Sequence, residues 1–254
     1  MTTPRRRAAL DLAMKFGLEV SFQRSLKKLF LTIANDIEST YINSELVLDV
    51  LEYKLDLQAM LKEHYRKISR AFKFNLRDTI KAVTDREIAM AIDTQLTTFI
   101  NAQTGYQSDL IISTLGEDIA ATVDTVIIDA AAEGVQLPKV KIASKVKKKF
   151  KDSIEGKASV ISGTETQIMA EKTKLVEAVN LQQLKEMRLV KQWVSTLDEV
   201  TRVAHVFADG QIQELGDPFI VGGERLLIPG DSSLGASAGN IIECRCDAIY
   251  LPIK

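Results

Sequence analysis

The chain has 254 residues, 33 of them basic and 34 acidic, and 46% of it is hydrophobic. That is enough apolar content and length for one large or two medium domains, and it excludes general disorder. The even charge leaves no overall field directed at nucleic acid or a membrane, and few aromatics with only five prolines favour helices over a long β-sandwich.

The start, Met1 to Arg7, is basic, but Asp11, Lys15 and Glu19 interrupt the next stretch, so no signal-peptide core is expected. No run approaches the length of a membrane span. A soluble protein of a reducing cytoplasm, with no membrane partner, is the expectation. Leu26, Leu29, Phe30, Ile33 and Ile37 recur at helical spacing. Leu48, Leu51, Leu55, Leu61, Tyr65, Ile68 and Phe72 continue the pattern in a second helix, with the break at Asn43-Ser44. Thr84 and Glu87 form a capping-box pair before Ile88, Ile92, Leu96 and Phe99. Asn101 to Ser108, around Gly105, reads as a loop.

Leu115, Ile119, Val123, Val126 and Ala130 form the next stripe, ended by Gly134. Pro138 opens a basic segment, Lys139 to Lys151, with seven lysines. Gly156 to Gly163 reads as a joint, and Thr164 with Gln167 as the cap of a helix to about Met187. Met187, Leu189, Lys191 and Trp193 share the parity of one strand face. Next comes a short helix from Leu197 to Phe207, capped by Ser195 or Thr196. Glycine and proline then become frequent, around the apolar runs 219–221 and 226–228, and Ile241 to Cys246 reads as a final strand. The expected fold is a mainly α-helical N-terminal region followed by a small α+β C-terminal domain. Its parts are a long-helix region 1–157, a connecting helix 158–187 and the α+β domain 188–254.

The densest polar set is Trp193, Asp198, Arg202, His205 and Asp209-Gly210. On one helix, Asp198, Arg202 and His205 project from a single face. Three readings are open. The set is a structural network bracing the glycine-rich loops, or His205 joins Cys244 and Cys246 in a metal site, or His205 and Asp198 work as acid and base. Alternate residues of a strand face one side, so both thiols can converge on one ion. No nucleophile motif or phosphate-binding loop accompanies the third reading, no motif calls for a cofactor, and the Cys-x-Cys pair closes no useful disulfide loop. Lys145, Lys147, Lys148, Lys149 and Lys151 are candidates for DNA phosphate contact or for a solvated face.

The order Trp193, Asp198, Arg202, His205, Asp209-Gly210, an apolar strand at 219–221, Pro229 and Cys244-Arg245-Cys246 resembles the Mu F-like minor head proteins of tailed phages. Thr164-Glu165-Thr166 resembles that family's Thr-Glu-Thr at the head of the preceding helix. The resemblance covers about residues 158 to 247. Glu243 departs from it, standing where the family carries Asn, and Asn240 is the nearby substitute. The resemblance implies a non-enzymatic virion component, made in the host cytoplasm and placed in the phage head. It implies binding to the portal protein, with capsid or scaffolding protein and packaged DNA as further partners, and a role in head assembly, genome packaging or ejection. Trp193, Asp198, Arg202, His205, Asp209, Cys244, Arg245 and Cys246 would then form a structural polar network, in which Asp198, Arg202 and His205 hold the C-terminal module together or mark a contact surface. The alternative is a metal-dependent enzyme with a His205/Cys244/Cys246 zinc site.

Overall fold

The computed structural model describes residues 3–43, 49–73, 86–185 and 187–253. Helix α1 (Pro4–Asn43) has proline at its first position, where the missing N–H costs nothing. A 3-10 turn (Val50–Tyr53), capped by Asp49, which accepts from the Leu51 N–H at 2.9 Å, leads into α2 (Lys54–Phe72). Helices α3 (Arg86–Ala132) and α4 (Lys139–Lys185) come next. A small mixed region completes the chain: β1 (Leu189–Val194), α5 (Val203–Ala208), β2 (Ile212–Glu214), β3 (Phe219–Val221), β4 (Glu224–Leu226), α6 (Ala238–Ile241) and β5 (Asp247–Pro252). The fold is therefore a long helical region followed by a small α+β region, as expected. No helix among the described residues is long and apolar enough to cross a membrane.

Several local signals act as read. The first helix ends at Asn43. Gly134 takes φ +70, and the Val135 N–H reaches back to the Ala130 carbonyl at 2.9 Å, the wrap that closes a helix on glycine. Thr84 and Ser44 lie outside the described residues. Other signals are overridden. Residues 101–108 are not a loop but part of α3, and 156–163 are not a joint but part of α4. A glycine inside a helix costs only about 1 kcal/mol relative to alanine. Side-chain bonds such as Gln58 to Ser108 Oγ (3.1 Å) and burial of Ile111 and Ile154 outweigh that. Thr164 is consequently no cap; it lies mid-helix.

The chain forms two compact units. One consists of residues 21–63 and 101–159. Its core holds Phe22, Leu26, Phe30, Ile33 and Ile37 of α1, Leu57 and Leu61 of α2, Leu115, Ile119 and Val126 of α3, and Val146, Phe150 and Ile154 of α4. Polar bonds join the helices at their margins: Lys147 to Glu38 (2.7 Å), Tyr53 Oη to Asp36 (2.6 Å), Lys157 to Asp118 and Lys54 to Asp109.

The other unit contains residues 1–20, 64–100 and 160–254, so the strands are packed with helical segments from three parts of the chain rather than with residues 188–254 alone. Its antiparallel sheet has the order β2-β1-β5, and β1 pairs over its whole length with β5, from Leu189 opposite Pro252 to Val194 opposite Asp247. A central strand covered on both faces buries both side-chain sets, and β1 does so apart from the half-buried Gln192. Strands β3 and β4 form a hairpin over Gly222 and Gly223, whose φ values of +59 and +84 are those of a two-residue turn that only glycine takes cheaply. The last strand is Asp247–Pro252, not Ile241 to Cys246: Ile241 closes α6, and the run Ala248-Ile249-Tyr250 supplies the buried apolar residues that pair with β1.

Candidate functional site

The site forms where the end of β1, α5 and the segment before β5 meet. Trp193 is fully buried, with its indole N–H donating to Ser195 Oγ at 3.1 Å. Its ring meets the His205 and Phe219 rings edge-on, with centroids 5.6 and 5.3 Å away. Ser195 Oγ in turn donates to the His205 carbonyl at 2.5 Å. Ser195 does not cap α5, which begins only at Val203 with Arg202 in the N-cap position. Asp209 accepts the Ser195 N–H at 2.8 Å and the Arg5 guanidinium at 2.6 Å. Gly210, at φ +81, donates to the Trp193 carbonyl at 2.9 Å. The Asp-Gly pair thus fixes the chain as it turns back toward β1.

Asp198 and Arg202 are placed otherwise than the helical spacing suggested. The helix is only Val203–Ala208, residues 198–201 form a turn, and Arg202 sits at the helix N-cap with extended backbone. The three residues therefore share no helix face. Asp198 pairs with Arg245 through two bonds of 2.8 and 3.0 Å, while Arg202 donates to the Ile242 carbonyl. A hydrogen bond from Thr201, then the Arg245 guanidinium, hold the Asp198 carboxyl below its ordinary range. Asp198 is thus engaged elsewhere and is not placed as an acid–base partner of His205, whose two ring nitrogens both face other groups.

Those groups are the two thiols and an amide. His205 Nδ1 lies 3.3 Å from Cys246 Sγ and 3.7 Å from Cys244 Sγ, and its Nε2 lies 3.3 Å from Asn240 Oδ1. His205, Cys244 and Cys246 are all buried, and their donor atoms fall within 4.8 Å of one another. Glu243, in the left-handed region at φ +55, makes the turn that delivers the two cysteines. Its N–H is bonded to Thr164 Oγ1 at 3.3 Å, so α4 anchors the turn. The Cys246 thiol is held down to about 5, first by the Cys244 hydrogen bond and then, against burial, by His205.

The lysines of α4 lie in the other unit. Lys145, Lys148, Lys149 and Lys151 are exposed, whereas Lys147 is half-buried and paired with Glu38, and Lys149 reaches Asp129 at 3.4 Å.

A buried ionic cluster, outside the candidate site residues singled out from the sequence, lies nearby. Lys15 Nζ donates to Glu171 (2.6 Å), Gln167 (2.9 Å) and Asp247 (3.2 Å); Lys174 is paired with Asp247, with Glu171 at 2.9 Å and with Asp11 at 3.3 Å. Burial favours the neutral amines, but Asp247 and Glu171 outweigh it and raise both lysines. Asp247 is held far below the carboxylate range by the two ammonium groups, against its burial. Burial and the Asp247 charge push Glu171 up to about 8. Two lysines thus face Asp11, Asp247 and a glutamate that takes up a proton more readily than usual. Gln167 also donates to the Cys246 carbonyl at 2.7 Å, and Glu171 accepts from the Ala248 N–H at 3.0 Å. The ionic cluster and the His/Cys group therefore flank the same end of β5.

No known protein family, curated protein or solved structure matches the chain. Fold and site define a helical protein with a small α+β region whose polar residues are mutually engaged around a buried His/Cys/Cys group.

Proposed function

We propose that this protein is a minor head protein of a tailed phage, of the Mu F-like kind. It would dock at the portal vertex and assist head assembly, genome packaging or ejection. One observation carries the reading. The residues on which the resemblance rests, from Thr164 through Trp193, His205 and Asp209 to Cys244, Arg245 and Cys246, form linked contacts although about 80 positions separate the first from the last. That is what a motif set marking a single folding element requires. The Cys246 thiol does lie 3.3 Å from His205 Nδ1, but both side chains are buried, which favours a structural role over a catalytic one.

Two surfaces suit assembly. In the stretch preceding the His/Cys group and along α5, Val200, Val203 and Phe207 are exposed by 72, 71 and 84%, an apolar edge that the portal protein would cover. On α4, the exposed Lys145, Lys148 and Lys151 recur every three residues and offer a face for packaged DNA. Capsid or scaffolding protein is a further partner on this reading, and the virion is its location.

The test is compositional. Heads purified from the phage whose genome encodes the chain should contain it by mass spectrometry, and tagged portal protein should retain it. Its absence from both overturns the reading. Replacing Phe207 by Ser should weaken retention on the portal without lowering helix content.

A further inference from the structure

His205 offers its two ring nitrogens to different chemistry, and the neighbours decide which nitrogen carries the proton. The Asn240 amide nitrogen donates to the Val221 carbonyl at 3.2 Å and to Glu224 Oε2 at 2.6 Å. Both of those atoms only accept, so the amide orientation is fixed and Oδ1 faces His205. His205 Nε2 must therefore be the donor, and Nδ1 presents a bare lone pair to the interior. Two thiols approach that one lone pair, at 3.3 and 3.7 Å. A single lone pair accepts one S–H; Cys246 Sγ also reaches Ser195 Oγ, but at 3.7 Å, and its shorter approach is to the imidazole nitrogen that Cys244 faces as well.

We infer that His205 Nδ1, Cys244 Sγ and Cys246 Sγ bind a thiophilic cation, zinc(II) being the best fit. Around a tetrahedral zinc, bonds of about 2.3 Å to sulfur and 2.0–2.1 Å to nitrogen place neighbouring N and S ligands about 3.5 Å apart. The observed 3.3 and 3.7 Å bracket that edge length. The ligands come from two segments, α5 and the turn after α6, and the left-handed Glu243 sets the second of these. Asn240 supplies the carbonyl that orients a ligating histidine through its other nitrogen. Two thiolates with one neutral imidazole suit a soft divalent ion, whereas magnesium and calcium prefer oxygen donors. Three protein ligands leave a fourth position for water or a donor from a partner. The ion would clamp α5 to the start of β5 and so brace the small region. Metal binding here requires no part of the portal reading.

The probe is zinc added to the reduced, chelator-treated full-length protein. About one equivalent should bind, raise the melting temperature and protect both cysteines from a thiol reagent. Cobalt(II) in its place should give the thiolate-to-metal charge-transfer band and the strong visible bands of a tetrahedral ion. Asn240→Ala should weaken zinc by about 10- to 100-fold, as loss of an orienting partner does. Cys244→Ser/Cys246→Ser should abolish the cobalt charge-transfer band. If that double variant does not fold, the cobalt spectrum and thiol protection of the unaltered protein decide alone. Equal cysteine reactivity with and without zinc, a cobalt spectrum without thiolate bands, or undiminished binding by a folded double variant would each overturn the assignment.

Discussion

Replacing Lys174 by Met removes one of the two ammonium groups of a buried ionic cluster. Lys174 and Lys15 face Asp11, Asp247 and Glu171. In the variant one carboxylate is left uncompensated in the interior, a change that costs about 3–5 kcal/mol. The cluster has one escape, which is protonation of that carboxylate. An ordinary aspartate lies about 3 pH units below neutrality, and at about 1.4 kcal/mol per unit the proton costs about 4 kcal/mol at pH 7. At pH 5 the same proton costs only about 1.5 kcal/mol. The loss in Lys174→Met should therefore be about 4 kcal/mol at pH 7 and shrink by more than half at pH 5. Trp193 is the single tryptophan and is buried in β1 of the same unit, so urea unfolding followed by its emission reads the right transition. Lys174→Met/Asp247→Leu, which removes one charge of each sign, should be closer to the unaltered protein than Lys174→Met is. A loss independent of pH, or a double variant weaker by the sum of the single losses, would refute charge compensation and point to lost packing.

His64 is buried, shares a 2.8 Å hydrogen bond with Thr166, and is held down to about 3, first by burial and then by Lys67. Its folded value lies below the unfolded one, so unfolding takes up a proton and stability falls as pH drops from about 6.5 toward 3, by up to about 1.4 kcal/mol per unit. Glu171, raised when folded, contributes the opposite slope between about 4.5 and 8. Only the difference between the unaltered protein and His64→Gln isolates the histidine, and identical pH profiles of the two would disprove its role. Lys191 donates to the Leu215 and Leu227 carbonyls at 2.9 and 2.7 Å. Lys191→Met should cost about 1–3 kcal/mol, by leaving those acceptors unpaired, when unfolding is measured at pH 7. Ser195→Ala should likewise cost about 1–3 kcal/mol, since it strands the buried Trp193 N–H. Arg202→Ala should cost under about 1 kcal/mol, because its bond lies at a half-exposed edge; equal losses for these last two in a melt would contradict the placement.

What the sequence determined alone is the local periodicity and its punctuation. The stripe from Leu26 to Ile37, the stripe from Leu115 to Ala130, the glycine closure at 134 and the change of texture near residue 188 arise from near-neighbour geometry. Near-neighbour geometry also placed Cys244 and Cys246 side by side. A further signal was there to be found: Arg7, Asp11 and Lys15 continue the buried face of α1 that Phe22, Leu26 and Ile33 occupy lower down. Charges on the apolar face of a helix must meet partners, but their identity lies 150 to 230 residues away. Tertiary structure decided the rest. It carried helix through Gly105, Gly156 and Gly163, because packing along a long helix outweighs a small local penalty. It shortened α5 and sent Asp198 to Arg245, with Leu197 left-handed at φ 58 and Asp198 bonded to Thr201 across a turn. Above all it brought His205 Nδ1 onto the two thiols, through a turn at Glu243 that no periodicity announces.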